Sequence, residues 1–332
     1  MATDEESRQY LRQEYMARIN RVIDHIDLNL DHSLKLESLA GVANFSPFHF
    51  HRIFKAIVGE TLNQFIQRLR LEKAASQLID NPKKSITEIA FDCGFSGSAT
   101  FARAFRDAFG VSASQWRGDG HRKDSKIRKT NRKFNQAIGK LSKDVDVSVF
   151  YSDGETNYPK PKWRITMEAN SAIDVEIREI PEMSVAYVRH IGPYQGDSAL
   201  FEGLINKLMT WAGPRGLIRF PETQLLAVYH DDPNITEADK LRTSICITVP
   251  SDTRIDGDVG KMNIPAGRYA VAHVEVSDDE FQSAYDAIYG GWLPESGYQP
   301  DDRPCFEIYL NDPKQHPEGK HITDICVPVK PL

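Results

Sequence analysis

The sequence predicts a multidomain fold: an all-α N-terminal domain with two helix-turn-helix units, followed by an α+β domain. Three observations predict it. The same helix–turn–helix pattern occurs twice before residue 118, and from about residue 173 apolar and polar residues alternate as they do in strands. The third observation is that the two halves of the chain have opposite net charge. Residues 1–145 contain 24 Lys and Arg and 17 Asp and Glu, whereas residues 146–332 contain 17 Lys and Arg and 30 Asp and Glu. A basic half joined to an acidic half is typical of a nucleic-acid-binding module followed by a separate domain.

The second helix-turn-helix unit is predicted over residues 85–110. Ser85 can cap its first helix, and Glu88 can complete a capping box. Gly94 in the turn can adopt the positive φ that ends a helix. The second helix, which Gly110 ends, has an apolar face and a basic face. The predicted apolar face consists of Phe101, Ala104, Phe105 and Ala108, and the basic face of Ala99, Thr100, Arg103 and Arg106.

The first unit, residues 34–58, repeats this plan about fifty residues upstream, after a predicted helix over 9–29. Lys35 stands where the second unit has its capping Ser, so the first short helix is expected to be less well capped. A helix over 61–80 joins the units and is about 30 Å long, which suits two units reading adjacent major grooves ~34 Å apart. In this unit, the basic face of the second helix consists of Phe48, His51, Arg52 and Lys55.

These two units resemble the paired helix-turn-helix subdomains of AraC-type (AraC/XylS) transcription regulators. The resemblance covers about residues 10–117 of a DNA-binding domain predicted over 8–117, and the segment GFSGSATFARAFRDAFGVSASQWR follows that family's signature closely. The resemblance implies a protein that binds double-stranded DNA, with RNA polymerase among its candidate partners. The DNA contacts that it implies are Phe48, His51, Arg52, Ala99, Thr100 and Arg103.

Charged side chains on the two basic faces differ in what they can recognise. Arg52 and Arg103 are the expected base readers, since a guanidinium can donate to guanine O6 and N7 together. Lys55 and Arg106 can bind phosphate, or they can be ordinary exposed charges.

Residues 118–170 are predicted to be a basic, extended linker. The stretch 122–143 contains nine Lys and Arg residues and one acid, Asp124. It can be a solvated connector, or an additional phosphate-binding arm that makes DNA affinity more sensitive to salt. Turn-forming residues at 153–154 and 158–161 predict that the rest of the linker is extended and loop-like.

The C-terminal domain, residues 171–332, is predicted to contain two successive, pseudo-symmetric β-β-α-β-β halves. Such a repeat predicts an α+β fold with a cleft between the halves, where a ligand pocket is expected. In the first half, strands on both sides of Pro181 precede a helix over 199–212 and strands over 224–230 and 243–249. The second half has a strand near residue 262, a strand over 268–276, a helix over 278–288, and strands over 305–310 and 323–329.

Four segments of this domain, EIPEMSVAYVRHIGPY, RYAVAHVEV, PCFEIYLNDP and ITDICVPV, resemble the GyrI-like effector-binding domain. In that family the domain binds small molecules, often amphipathic cations, near a central buried glutamate. An AraC-type domain followed by this one resembles the Rob-like arrangement. The resemblance implies a transcription regulator whose C-terminal domain binds a small-molecule effector or a partner.

Glu307 is the candidate for the central acid because it interrupts an otherwise apolar strand. Alternation puts residues 305, 307 and 309 on one face of that strand and residues 306, 308 and 310 on the other. A buried carboxylate needs a partner or an aqueous pocket. Glu307 is therefore either part of a structural ion pair or, as the resemblance implies, a ligand-facing acid. The candidate aromatic walls for a cation are Tyr187, Trp211, Tyr229, Trp292 and Tyr309.

Composition argues against several other classes of protein. The four cysteines are scattered without a CxxC pair, which argues against a disulfide framework and favours a reducing cytoplasm. The polar N-terminus does not resemble a signal peptide, and no apolar run reaches the ~20 residues that span a bilayer. No cofactor, metal site, catalytic residue or membrane partner is expected. Two alternatives stay open: a small-molecule hydrolase, as reported for some GyrI-like domains, and a toxin-sequestering module with vestigial DNA-binding units.

Overall fold

The computed structural model describes residues 4–118, 145–151, 161–167, 173–233 and 236–332. The chain divides into two compact units, Met1–Ala169 and Asn170–Leu332. The predicted helix-turn-helix units lie in the first and the predicted α+β domain lies in the second. The domain limits proposed from the sequence stay a prediction, and the basic stretch 122–143 lies outside the described residues.

The described part of the first unit begins with helices that follow the predicted order. Two pairs of a short and a longer helix lie on either side of a connecting helix. The helices are α1 (Asp4–Leu28), α2 (Leu36–Ala43), α3 (Pro47–Val58), α4 (Leu62–Asp80), α5 (Ile86–Asp92), α6 (Ser98–Phe109) and α7 (Ala113–Gly118).

The connecting helix α4 contributes to the aromatic cores of both helix-turn-helix units. In the first unit, the rings of Phe54 and Phe65 lie 5.4 Å apart between centroids. In the second, the rings of Phe105 and Trp116 lie 5.8 Å apart, and Trp116 Nε1 donates a hydrogen bond of 3.1 Å to the carbonyl of Ala75 on α4. Burying such rings contributes much of the stability of small helical units. Both units are therefore packed on one helix.

Two strands form where the sequence predicts only an extended linker. Strand β1 (Val145–Tyr151) pairs antiparallel with β2 (Pro161–Met167), in a register that joins Val145 to Met167 and Tyr151 to Pro161. The loop-like interpretation is wrong for these two segments. The physical reason lies in the sequence VDVSVFY, which alternates β-branched and polar residues as a strand does. The turn signals at 153–154 and 158–160 lie outside the described residues.

The second unit is built on a curled antiparallel sheet with helices. Each half of the domain supplies strands and one main helix, as predicted. The first half contains β3 (Val175–Ile180), β4 (Met183–Ile191), α8 (Ser198–Ala212), β5 (Leu225–Tyr229) and β6 (Arg242–Thr248). The second half contains β7 (Gly260–Ile264), β8 (Gly267–Val276), α9 (Phe281–Asp286), a π-helical turn (Ala287–Trp292), α10 (Leu293–Ser296), β9 (Tyr298–Pro300), β10 (Cys305–Tyr309) and β11 (His321–Pro331).

Strand order in the sheet is β3-β8-β11-β10-β5-β6-β4-β7, with β9 paired to β11. Each half exchanges its first strand with the other: β3 pairs with β8, and β7 pairs with β4. The strands β10 and β5 meet in the middle, where the halves join. The order of elements is the predicted one, while superposition of the two halves as pseudo-symmetric copies stays a prediction.

The two faces of the central strands contact different parts of the domain. Phe306 and Ile308 belong to an apolar cluster on one face together with Leu226. The other face packs toward the helices, since Ala227 clusters with residues of α8 and Glu307 pairs with Ala227 in register. The alternation predicted for residues 305–309 is therefore confirmed.

None of the helices in the described residues is long and apolar enough to cross a membrane. The same residues contain no group of three or more His, Cys, Asp or Glu side chains placed to hold a metal ion.

Candidate functional site

The second recognition helix, α6, exposes the face that was predicted to contact DNA. Its buried side is formed by Phe101, Ala104 and Phe105. Arg103 and Arg106 project from the exposed side, so their guanidinium groups are accessible to a partner. The exposed residues on the predicted contact face are Ala99, Thr100, Arg103 and Arg106.

The last turn of α6 differs from the sequence prediction at Ala108. This residue was placed on the apolar face, but it is exposed. The turn packs instead through Phe109, whose ring lies 4.8 Å from that of Trp116 between centroids. The buried stripe shifts toward Phe109, and Ala108 is left outside it.

The first recognition helix, α3, exposes less of its predicted contact face. Phe48, Arg52 and Lys55 are all half-buried. The guanidinium carbon of Arg52 lies 5.9 Å from the centroid of the Phe48 ring, within the range of a cation–π contact. The predicted reader and its aromatic neighbour therefore lie together on this helix.

His51 was predicted to contact DNA, but only 2% of it is exposed. The physical reason is its position on α3. Residues three and seven positions apart lie on the same side of a helix, which puts His51 in line with Phe54 and Val58, both buried. The buried arc of α3 therefore reaches His51, which the sequence predicts to be on the exposed face; its contact with DNA stays a prediction.

Caps distinguish the two units as expected. Ser85 Oγ accepts a 3.1 Å hydrogen bond from the amide of Glu88, and Glu88 Oε2 accepts one of 2.9 Å from the amide of Ser85. This is the predicted capping box, and Gly94 has the predicted positive φ, +83°. In the first unit Lys35 precedes α2 without a side-chain cap. There the short helix ends at Asn44, which takes the left-handed conformation with φ 54°.

The candidate ligand site of the second unit is centred on Glu307, of which 2% is exposed. Three tyrosine hydroxyls donate hydrogen bonds to its carboxylate. Tyr229 and Tyr309 each donate to Oε2 at 3.0 Å, and Tyr285 donates to Oε1 at 3.0 Å. The donors come from β5, β10 and α9, so two central strands and a helix converge on the carboxylate. Hydrogen bonds to an ionised carboxylate are among the stronger ones in proteins.

Burial and charge keep the hydroxyls of two of these tyrosines, Tyr229 and Tyr309, protonated. Burial raises the pKa of Tyr229 well above its ordinary value, and the negative charge of Glu307 raises it further. The same two causes raise the pKa of Tyr309. Both phenols are therefore hydrogen-bond donors at physiological pH.

Further aromatic rings border the carboxylate and its tyrosines. The ring of Tyr194 lies 5.5 Å from that of Tyr229 between centroids. The ring centroid of Tyr309 lies 5.9 Å from that of His321, and the His321 centroid lies 5.5 Å from that of Phe281. A desolvated negative charge beside several aromatic faces suits a cation with apolar substituents.

Of the predicted aromatic walls, Tyr229 and Tyr309 reach Glu307, and the other three have different neighbours. Tyr187 packs on the opposite face of the sheet, with its ring 4.6 Å from the Arg189 guanidinium carbon. Trp211 Nε1 donates to Asp256 at 2.7 Å. Trp292 stacks on Tyr298 with ring planes 13° apart. An aromatic residue type does not by itself fix which face a side chain joins.

Tyr285 was missed by the sequence prediction of the ligand site. It lies one helical turn after Phe281 on α9, within the predicted helix over 278–288. That spacing puts Phe281 and Tyr285 on the same side of the helix. The spacing of these two aromatic residues therefore indicates an aromatic face on the helix, but nothing in the sequence indicates that this helix packs over β10.

Both predicted domains of the chain are similar to known protein families. Residues 173–330 match the family model of the GyrI-like small molecule binding domain, and residues 39–119 match a helix-turn-helix domain model. A "DNA gyrase inhibitor" of Erwinia billingiae is 33% identical over 160 residues, which cover 47% of this chain and 97% of that protein. "DNA gyrase inhibitor 2" of Dickeya dadantii is 37% identical over 135 residues, covering 40% and 82%.

Two solved structures of EcmrR are also similar to this chain. Its C-terminal domain has a TM-score of 0.41 at 21% identity, covering 48% of this chain and 99% of that one. The EcmrR–DNA complex in EcmrR-RPo has a TM-score of 0.41 at 15% identity, covering 90% and 100%.

An AraC-type helix-turn-helix domain followed by a GyrI-like small molecule binding domain defines a DNA-binding transcription regulator that carries a small-molecule-binding domain. The chain belongs to the GyrI-like family through its C-terminal half, which an AraC-type helix-turn-helix domain precedes.

Proposed function

We propose that the C-terminal domain recognises an amphipathic cation whose charged group lies against Glu307. The observation that supports this is the buried carboxylate to which three tyrosine hydroxyls donate. An ionised carboxylate loses hydration when it is buried, at a cost of several kcal/mol, and hydroxyl donors offset part of that cost. A bound cation would offset more of it.

The aromatic rings around the carboxylate give the proposed ligand its second property. Rings such as Tyr194 and Tyr229 can cover apolar substituents, and their faces attract positive charge. A small hydrophilic cation would lose its own hydration without gaining these contacts. The proposed ligand class is therefore lipophilic monovalent cations.

Calorimetric titration of the full chain with tetraphenylphosphonium tests this proposal. Glu307→Gln keeps the size of the side chain but removes its charge, so we expect binding to fall by about 2 kcal/mol or more. Glu222→Gln is the matched control, because it removes an exposed carboxylate from the same domain, and it should bind like the wild type. Equal binding by wild type and Glu307→Gln, or unfolding of Glu307→Gln without any cation binding by the wild type, would indicate a structural acid instead.

We also propose that α3 and α6 dock in successive major grooves of one duplex. The exposed basic face of α6 and the half-buried Phe48–Arg52 pair of α3 support this. The proposed contacts are Phe48, Arg52, Lys55, Ala99, Thr100, Arg103 and Arg106; His51 is left out because it is buried. RNA polymerase as a partner, and the stretch 122–143 as a phosphate-binding arm, stay predictions.

Ligand binding without turnover is our proposal for the C-terminal domain. The hydrolase alternative uses a glutamate and a tyrosine, and the hydrogen bond between Tyr309 and Glu307 provides such a pair. The raised pKa of Tyr309 weakens this alternative, because a less acidic phenol is a poorer proton donor in catalysis. Incubation of the full chain with a panel of small esters and amides should give no product above background, and product that disappears in Tyr309→Phe would establish the hydrolase.

A further inference from the structure

Three segments of the helical N-terminal part of the chain meet at Arg70 on the connecting helix α4. Arg70 Nε donates a 2.9 Å hydrogen bond to the carbonyl of Leu30, and Nη2 donates one of 2.9 Å to the carbonyl of His32. Both carbonyls lie in the loop that joins α1 to α2, which leads directly into the first helix-turn-helix unit. The third segment is the turn between α5 and α6, in the second unit. Arg70 therefore lies where the two units adjoin.

Gly94 brings the second unit's turn against this junction. A Cβ atom added at Gly94 would lie 2.1 Å from the carbonyl oxygen of Leu30 and 2.8 Å from Arg70 Nε. The Leu30 oxygen is backbone and cannot move away as a flexible side chain can. Gly94 also has a φ of +83°, which disfavours any side chain. The close approach of the two units depends on glycine here.

The guanidinium group of Arg70 is suited to fixing this arrangement. Its planar fork presents donors in a fixed geometry, so two hydrogen bonds to two carbonyls define the orientation of the loop on α4. The group is half-buried, and burial lowers the pKa of Arg70 while the nearby charge of Asp31 raises it. Hydrogen bonds from a charged group in a partly dry place are stronger than neutral ones.

The α1–α2 loop leads into α2 and then into recognition helix α3, and α6 follows the turn that contains Gly94. We propose that Arg70 is a positioning residue for DNA recognition: it fixes how the two helix-turn-helix units are held relative to each other, and thereby which spacing between two half-sites the protein prefers. The proposal rests on two-headed DNA binding. It requires no contact between Arg70 and DNA.

The test uses the full chain and a bipartite DNA site selected from random duplexes with the wild-type protein. Affinity is measured by fluorescence anisotropy on that site and on versions with one base pair added or removed between the half-sites. Each added pair moves one half-site by about 3.4 Å and about a tenth of a turn. We expect the wild type to lose about tenfold or more in affinity on either altered spacing.

Arg70→Met should lose about tenfold on the selected spacing, because without the two hydrogen bonds the arrangement of the units must be ordered when DNA binds, but much less on the altered spacings. The preference between spacings should therefore fall to within about threefold. Arg70→Lys keeps the charge without the fork and should give an intermediate preference. Lys83→Met, which removes an exposed charge near the same helix, should keep the wild-type preference.

Two results would overturn this inference. If Arg70→Met and Arg70→Lys discriminate spacings as the wild type does, Arg70 is not a positioning residue. If Arg70→Met does not fold, as judged by circular dichroism, Arg70→Lys decides alone. If the wild type itself is indifferent to spacing, two-headed binding is wrong, and this inference is overturned with it.

Discussion

The two helix-turn-helix units share one sequence plan but bury their recognition helices to different extents. Seven of the twelve residues of α3 are buried, against three of the twelve residues of α6. The units also differ in their caps, since Ser85 and Glu88 form a capping box before α5 while Lys35 makes no side-chain cap before α2. A repeated sequence pattern thus gives two structurally unequal units.

Part of this difference lies in what surrounds the first unit. The ring of Tyr15, on α1, lies 4.9 Å from that of Phe45 in the first turn. Arg18, also on α1, places its guanidinium carbon 5.5 Å from the same ring. The first unit is thus packed against the long helix α1, whereas the second is packed against the short helix α7 through Trp116. We infer that the second unit offers the freer surface for reading bases, while the first is the more firmly held.

The largest effect is expected for the base reader of the second unit. Arg103→Ala should weaken specific DNA binding by about 1–3 kcal/mol and relax the preference at one base position, since a bidentate contact to guanine is lost. Arg52→Ala should lie at the low end of that range, because the Arg52 side chain is half-buried beside Phe48. Competition assays on a site with each base varied in turn would measure both. A larger loss for Arg52→Ala would reverse the comparison.

A second prediction concerns His51 and Thr100. His51→Ala should destabilise the first unit by about 1–2 kcal/mol, because it leaves a cavity under a buried side chain, and should leave base preference unchanged. Thr100→Ala should do the opposite, since Thr100 is exposed on α6. Hydrogen exchange of α3 amides and base-preference profiles separate the two outcomes. A changed base preference in a fully folded His51→Ala protein would return His51 to the DNA interface.

A third prediction concerns the capping box of the second unit. Ser85→Ala removes the acceptor for the Glu88 amide and should cost about 1 kcal/mol. Amides of α5 should exchange faster in proportion, while those of α2 should not change. Ser96→Ala, at an exposed position in the adjacent turn, is the control. Unchanged exchange in α5 would show that packing, rather than the cap, holds this helix.

The smallest effect is expected when the missing cap is added to the first unit. Lys35→Ser should stabilise α2 by roughly 0.5 kcal/mol. The gain is small because the third helical position is Ser38 rather than Glu, so only one of the two capping-box bonds can form. Adding Ser38→Glu should increase the gain. Exchange rates of α2 amides that do not slow in the double variant would show that the cap does not account for the difference between the units.

Local patterns predicted the elements well because their causes are local. The capping box at Ser85, the positive φ at Gly94 and the faces of β10 each depend on a few neighbouring residues. Burial of His51 depends on the width of a packed arc, which periodicity does not fix. The pairing of β1 with β2 is not predicted, because the basic stretch before β1 indicates a linker for the whole region.

The ligand site shows the same boundary between local and distant causes. Alternation predicted which face of β10 carries Glu307, and Tyr309 lies two residues further along the same strand. Tyr285 comes from α9, whose position over β10 is a property of the tertiary structure. The sequence could nominate the acid but not all the groups that hold it.

Exchange of first strands between the halves of the C-terminal domain has a consequence for cutting the chain. β3 completes the sheet beside β8, and β7 does so beside β4, so each half ends on a strand that the other supplies. A protease that cleaves the exposed loop at Ser251 and Asp252 would produce two fragments. Each fragment would still contribute a strand to the part of the sheet formed by the other. Such fragments should stay together after cleavage, and neither half of the C-terminal domain should accumulate in folded form when expressed alone.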